Sequence, residues 1–337
     1  MKWLAWIALV LAGLFVAPQA SATTTCAVTS VTGAAFGPVN PMSTYVDTTA
    51  TINYSCTYTG ALGGLFGAFV TLCASIGPDD LGNFAPRTMI NANNDRMQYG
   101  LFQDAGRTVP WGSRLSGSYT PGTFNLQIGI LSNGAVVNGS ATVYGRVPAG
   151  QSTLSPGAYT AILAATNNQV TYSYNEALLS LGTFPSSCTA GGTGGPLQTS
   201  MPAVNVSASV AASCVLATAT DMQFGNVSGL LNTNSNATTL VRLTCTNRAP
   251  FQVGLDNGIN ASSGQRRMVS ALGGYVLYDL YTDSAGSQRW GNTLNTDTQS
   301  GTGSGSQQTL TVYGLIRPQS AVQAGSYRDR ITVTVTY

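Results

Sequence analysis

Six cysteines are the residues whose chemistry says most about this chain: Cys26, Cys56, Cys73, Cys188, Cys214 and Cys245. An even number of cysteines behind an export signal favours three disulfides, although spacing alone leaves their pairing open. A zinc site is the competing interpretation, but the sequence has no Cys-x-x-Cys pair and no histidine. We therefore predict no metal centre and no cofactor.

Side chains suited to catalysis are scarce. The absence of histidine excludes Ser-His-Asp and Cys-His arrangements. Asp79-Asp80 is an adjacent acidic pair, but its position after Gly77-Pro78 predicts a solvated turn. Two carboxylates from distant loops could still serve a glycosidase, yet the whole chain holds only 12 acidic residues. The sequence thus predicts a protein that is not an enzyme.

The charge balance gives no reason to expect a nucleic-acid partner. The formal net charge is +2, and Arg266-Arg267 is the only basic doublet. A surface that binds phosphate backbones needs clustered basic residues, which this chain lacks.

The first 22 residues have the pattern of a signal peptide. Lys2 precedes an apolar run from Trp3 to Val16, and Ala20-Ser21-Ala22 is typical of a cleavage site. We expect the mature chain to begin near Thr23 and to be exported.

An internal repeat organises the remainder of the chain. The matching blocks keep their order: Cys26…Cys56 with Cys214…Cys245, Phe36-Gly37-Pro38-Val39 with Phe224-Gly225-Asn226-Val227, Trp111-Gly112 with Trp290-Gly291, and Thr142-Val143-Tyr144-Gly145 with Thr311-Val312-Tyr313-Gly314. This symmetry pairs Cys26 with Cys56 and Cys214 with Cys245, and leaves Cys73 for Cys188.

Each copy has the pattern of a β-sandwich. Apolar and polar residues alternate over 204–210 and 331–337, which indicates strands with one face on a core. We predict an all-β protein of two tandem immunoglobulin-like β-sandwich domains. The expected segments are a signal peptide at 1–22, a first domain at 23–188, a glycine-rich flexible linker at 189–203 and a second domain at 204–337.

The first copy contains apolar additions that the second lacks. They lie between Cys56 and Leu101, between Trp111 and Thr142, and over 170–188. One interpretation makes them extra core strands, but glycines among the apolar residues favour exposed loops that contact a partner. For Val136 and Val137 the two interpretations are equally favoured. The candidate surface-binding residues are Leu62, Leu65, Phe66, Phe69, Val136, Val137, Leu178, Leu179, Leu181 and Phe184.

The shorter second copy suggests an incomplete sandwich. If 170–188 includes the strand that closes the first domain, the second domain lacks that strand and exposes part of its core. Such a domain needs a strand from another chain, added by β-augmentation.

The ordered blocks resemble the spore coat protein U domain in both copies, and the closing segment Gly325-Ser326-Tyr327 through Tyr337 fits it too. This domain occurs in pilins of the archaic, Csu-type chaperone–usher pathway. The resemblance implies a two-domain tip adhesin, exported through the periplasm to the tip of a pilus. It implies four partners: a periplasmic pilus chaperone, an outer-membrane usher, the donor strand of the next subunit, and abiotic hydrophobic or host surfaces. The alternative is a shaft or coat subunit without specific binding.

Overall fold

The computed structural model describes residues 23–60 and 64–337, and it folds into two all-β domains. The signal peptide predicted for 1–22, and Leu62, lie outside the described residues. The strands of the first domain are β1 (Thr23–Val31), β2 (Ala34–Pro38), β3 (Val46–Thr59), β4 (Phe66–Ser75), β5 (Arg87–Ile90), β6 (Arg96–Phe102), β7 (Gly122–Ile128), β8 (Val136–Val147), β9 (Gly157–Leu163), β10 (Gln169–Leu178), β11 (Gly194–Ser200) and β12 (Val204–Val210). One turn of 3₁₀-helix, Ala165–Asn167, lies between β9 and β10.

The first domain is a sandwich of two sheets. The larger sheet has the order β1-β3-β8-β6-β5-β9-β12-β2, and the smaller one has the order β11-β10-β4-β7. Alternate residues of β3, such as Ile52 and Tyr54, point into the core between the sheets, as their spacing of two requires. Trp111 lies at the centre of this core, where its indole Nε1 donates to the carbonyl of Ala74 over 2.8 Å.

The second domain repeats this design with shorter strands. They are β13 (Cys214–Ala219), β14 (Ser235–Cys245), β15 (Pro250–Leu255), β16 (Arg267–Ser270), β17 (Tyr275–Leu277), β18 (Asp279–Tyr281), β19 (Gln299–Thr302), β20 (Gln307–Ile316), β21 (Tyr327–Arg328) and β22 (Val333–Thr336). Trp290 donates to the carbonyl of Val253 over 2.8 Å, just as Trp111 does to Ala74. The three disulfides are the pairs that the repeat predicts: Cys26–Cys56, Cys73–Cys188 and Cys214–Cys245.

The segment expected to be a flexible linker belongs instead to the first domain. Strand β11 pairs with β10 over Gln169–Tyr174, and β12 lies between β9 and β2. The glycines at the start of β11 are places of close approach, because Gly194 lies against the ring of Tyr174 and Gly195 against the backbone of Ser173. The boundary expected at 188–204 is therefore wrong, and the first domain extends through Val210.

Strand β12 closes the first domain. It runs antiparallel to β9 and parallel to β2, and buries Val204, Val206, Ala208 and Val210 in the core. The expectation that 170–188 supplies the closing strand is wrong. Strand β10 has a counterpart in β22, because Val170 pairs with Ala74 where Val335 pairs with Val253.

Candidate functional site

Three loops meet at one end of the first domain: Gly60 with Gly64 and Leu65 before β4, residues 129–136 between β7 and the start of β8, and residues 178–184 from the end of β10. The middle of this group is held by backbone hydrogen bonds, in which Leu131 donates to the carbonyl of Gly64 over 2.6 Å and Leu179 to the carbonyl of Leu65 over 2.8 Å. The amide of Gly60 donates to Asn133 Oδ1 over 2.8 Å. We call this group the three-loop tip.

The three-loop tip exposes an unusually apolar set of side chains. Leu131 is 79% exposed and Leu181 84%, and both lie in loops that carry no charge. Large apolar side chains grouped on a surface mark a site of contact. The exposed apolar side chains of the tip are Leu65, Ile130, Leu131, Val136, Leu178, Leu179 and Leu181.

The backbone of the tip holds leucines in a conformation that L-residues seldom adopt. Leu131 has φ of 62° and Leu179 of 53°, and Ser180 follows with 55°. A left-handed backbone costs a residue other than glycine about 1–2 kcal/mol. Such strain persists at sites where the surrounding structure imposes it, and it often marks function.

Glu176 is the only glutamate in the chain, and it lies two residues before Leu178. Its carboxylate accepts a hydrogen bond from the hydroxyl of Thr24 on β1, over 3.3 Å. Burial raises the pKa of this carboxyl above its ordinary value, and the Thr24 hydrogen bond partly offsets the rise. The carboxylate therefore belongs to the contact between β10 and β1.

A second feature lies in the other domain, where the place of β12 is open. The segment 222–226 takes the position of β2, because Phe224 packs edge-on against Tyr278 at 6.2 Å as Phe36 does against Tyr99 at 6.1 Å. Strand β21 takes the position of β9. Among the described residues, no strand lies between β21 and 222–226. We call this opening the acceptor groove.

Matched side chains show what the missing strand leaves uncovered. In the first domain, Phe36, Met89, Tyr159 and Leu163 are buried beneath or beside β12. Their counterparts in the second domain are only partly buried: Phe224, Met268, Tyr327 and Ile331. The cores differ at the residues that border the groove, while Trp111 and Trp290 are equally buried.

The described residues hold no group of three Cys, Asp or Glu side chains that could bind a metal ion. Asp79 is buried rather than solvated, and its carboxylate accepts hydrogen bonds from the amides of Leu81, Asn83 and Thr88. Asp80 is in a salt bridge of 2.7 Å with Arg96. This acidic pair thus fixes a turn, and the expectation of a solvated Asp79 is wrong.

The family model of the Spore Coat Protein U domain matches residues 12–166 and 200–334, one match in each copy. The chain belongs to the Spore Coat Protein U (SCPU) domain family. No curated protein matches the chain in sequence. No helix in the described part of the chain is long and apolar enough to cross a membrane.

The chain is also similar to several solved structures. One is the CsuC–CsuE chaperone–tip adhesion subunit pre-assembly complex from archaic chaperone-usher Csu pili of Acinetobacter baumannii, at 18% identity and TM-score 0.49, covering 93% of this chain and 100% of that chain. Another is the CupB6 tip adhesin of Pseudomonas aeruginosa, at 12% identity and TM-score 0.35, covering 92% and 94%. A third is the CFA/I enterotoxigenic E. coli adhesin CfaE, at 10% identity and TM-score 0.31, covering 90% and 92%. These likenesses are distant, so the family rests on the domain match.

The first SCPU domain places the candidate binding residues in two groups. Leu65, Val136, Leu178, Leu179 and Leu181 are exposed at the tip. The others that the structure describes contribute to packing: Phe66 and Val137 lie partly buried against the core, Phe69 is buried, and Phe184 is half-buried with its ring 5.3 Å from that of Phe69.

Phe69 is the clearest correction, and strand β4 explains it. From Gly67 to Ser75 every residue of β4 is buried, because the core covers one face and the returning segment 180–190 covers the other. A strand buried on both faces has a continuous apolar run without alternation. The apolar residues from Phe66 to Phe69, which in the sequence favoured an exposed loop, therefore form the start of strand β4.

The Cys73–Cys188 disulfide lies away from the three-loop tip. Cys73 lies seven residues along β4 from Phe66, which is about 23 Å at the rise of a strand. The bridge instead fixes the far end of the returning segment, together with the hydrogen bond of 3.0 Å from Thr71 Oγ1 to the carbonyl of Pro185. Backbone hydrogen bonds hold the tip.

Sequence reasoning missed Ile130 and Leu131. Both belong to the apolar run from Ile128 to Leu131, which is interrupted by a glycine. The run is followed by a turn of Ser132, Asn133 and Gly134. The same signal of glycine among apolar residues had marked the other two loops. The sequence had placed the candidate residues of this loop at Val136 and Val137, six residues after Ile130 and Leu131.

Proposed function

We propose that this protein is a non-enzymatic adhesin at the tip of a pilus, and that the three-loop tip contacts hydrophobic abiotic or host surfaces. The single observation that carries the proposal is the set of seven exposed apolar side chains on three loops, two of which are hydrogen-bonded to Gly64 and Leu65 of the third. Burying one such side chain contributes about 1.5–3 kcal/mol. Several together could hold a protein on a surface without polar recognition.

The position of this protein in a fibre follows from the second SCPU domain. SCPU domains occur in pilins that a periplasmic chaperone and an outer-membrane usher assemble, so the protein reaches the cell surface through the periplasm. The second domain joins the fibre by accepting the donor strand of the next subunit into the acceptor groove. The partly buried Phe224, Met268, Tyr327 and Ile331 support this role, because their first-domain counterparts are covered by β12.

Two leucines with left-handed backbones allow a sharp test of adhesion. Asparagine is polar and tolerates this backbone better than leucine does. We expect Leu131→Asn with Leu179→Asn to weaken binding of the full mature chain to polystyrene about tenfold or more, from the lost apolar contact. The melting temperature should stay unchanged or rise.

Leu115 supplies the matched control for this test. It is 70% exposed. The backbone amide of its neighbour Arg114 donates a hydrogen bond to Ser75 Oγ, at the opposite end of β4 from the tip. Leu115→Asn should leave binding unchanged. Equal losses from both variants, or none from the tip variant, would contradict the adhesive role and favour a shaft or coat subunit.

The acceptor groove is tested by fusing to the chain an extra strand that can occupy the groove. A copy of residues 203–211 is fused after Tyr337 through a flexible linker. We expect the unfolding transition of the second domain to rise by about 5 °C or more, because the fused strand covers four apolar positions of the core. The first-domain transition is the internal control. A second-domain transition that does not move would rule out the groove.

A further inference from the structure

The outward face of the acceptor groove has a charge that the first domain lacks. In the first domain, Thr160 and Ile162 of β9 point outward and pair with Ser207 and Asn205 of β12. All four side chains are uncharged. The cross-strand contacts beside the closed groove of the first domain are therefore neutral.

The second domain has arginines at the two equivalent positions. Tyr327 and Ile331 take the places of Tyr159 and Leu163, so Arg328 replaces Thr160 and Arg330 replaces Ile162. Both arginines are exposed, while Tyr327, Asp329 and Ile331 between and beside them are partly buried. This alternation directs both guanidinium groups to the outer face of the groove edge.

Neither arginine has an acidic partner in the described part of the chain. The salt bridges there involve Arg96, Arg107, Arg146, Arg248, Arg266 and Arg289. The carboxylate of Asp329, between the two, is turned inward and accepts hydrogen bonds from Tyr278 and Asn260. Two positive charges thus border the groove without compensation from the chain.

We propose that the strand accepted by the groove carries Asp or Glu at its two outward positions opposite Arg328 and Arg330. Side chains directly opposite on neighbouring strands lie about 5 Å apart at Cβ, close enough for opposite charges to pair. Charge complementarity of this kind selects partners more than it adds affinity. The inference rests on the strand-accepting role of the second domain, and it adds the chemistry of the partner.

The same contacts also explain how the acceptor groove would discriminate between a copy of β12 and the strand of a partner subunit. Strand β12 has Asn205 and Ser207 at the outward positions, which suit the neutral edge of β9. Beside β21 and the extended residues 329–331 that follow it, the same residues leave both arginines unpaired. A strand with two carboxylates is therefore preferred in the second domain over a copy of β12.

The fusion after Tyr337 tests this directly in the full mature chain. Three versions of the fused strand are compared at low salt: unchanged, with Asn205→Asp and Ser207→Asp in the copy, and with Asn205→Lys and Ser207→Lys in the copy. We expect the second-domain transition of the acidic version to lie about 3 °C or more above the unchanged one, and that of the basic version below it. The difference should shrink at 0.5 M NaCl, a concentration that screens exposed charges to within about 5 Å.

Substitution of the arginines completes the test. Arg328→Gln with Arg330→Gln should abolish the difference between acidic and basic strands, whereas the exposed Arg114→Gln in the first domain should preserve it. Equal transitions for acidic and basic strands, or a difference that survives in Arg328→Gln with Arg330→Gln, would overturn the inference while leaving the groove intact. If the unchanged strand itself gives no rise, the groove fails and this inference fails with it.

Discussion

Two equivalent tyrosines show how the repeat has diverged at single residues. Tyr99 and Tyr278 each pack edge-on against a phenylalanine, and burial raises the pKa of both hydroxyls. The Tyr278 hydroxyl donates a hydrogen bond to Asp329 Oδ2 over 2.8 Å. Ala161 stands at the position of Asp329 in the first domain, and the buried Tyr99 hydroxyl has no hydrogen-bond partner among the residues that the structure describes.

This difference predicts opposite effects for the same substitution. Tyr278→Phe removes a hydrogen bond to a carboxylate and should destabilise the second domain by about 1.5–3 kcal/mol. Tyr99→Phe removes an unpaired buried hydroxyl and should leave the first domain unchanged or more stable. Urea unfolding of the full chain, with one transition for each domain, measures both effects. Similar losses in the two domains would contradict this account.

The sequence predicted a strand well when one face of the strand is buried in the core and the other is exposed. It predicted a strand poorly when both faces are buried. Alternation marked β12 correctly as a strand, since Val204, Val206, Ala208 and Val210 are buried. It could not assign the strand to a domain, because a period of two identifies the buried face and not the sheet that covers it. Strand β4 has no alternation, so Phe69 was mistaken for an exposed residue.

The candidate site was predictable only in part, for a related reason. The repeat located the three additions and the disulfides, because cysteines and order survive divergence. Whether an apolar residue in an addition is exposed depends on the segment that packs over it. Leu181 and Phe184 lie three residues apart in one loop, yet only Leu181 is fully exposed, because Phe184 packs on Phe69.

Strand β12 predicts where the first domain can be cut. Residues 23–212 contain the whole of both sheets and should fold as a monomer with cooperative unfolding. Residues 23–190 lack β11 and β12, leave the core open beside Leu163, and should aggregate. Size-exclusion chromatography and thermal unfolding of the two fragments measure this.

Neighbouring residues of β12 supply the matched point variants. Val206→Asp places a carboxylate in the core and should destabilise the first domain by several kcal/mol, at least ~3. Ser207→Asp changes an exposed side chain of the same strand and should have little effect. A stable 23–190 fragment, or equal effects of the two variants, would mean that β12 is dispensable.

At the scale of the whole molecule, the two domains touch each other directly. Asn247 Nδ2 donates to the carbonyl of Thr153 over 2.6 Å, and Arg248 Nη1 lies 3.4 Å from Asp95 Oδ1. Gly305 packs against the carbonyl of Ser152, where a Cβ has no room. These contacts restrain two domains that are linked by the short segment 211–213.

Two glycines with the same backbone allow this contact to be tested alone. Gly305 has φ of 72° and Gly264 of 78°, so alanine strains both, but Gly264 has open space around its Cβ position. We expect Gly305→Ala to push Ser152 away and to separate Asn247 from Thr153. Elastase should then cleave Ala211-Ala212 several-fold faster, because segment 211–213 gains mobility, while the first-domain melting temperature stays unchanged. Gly264→Ala should lower second-domain stability by a similar amount without accelerating cleavage. Equal cleavage rates in the two variants would show that other contacts hold the domains together.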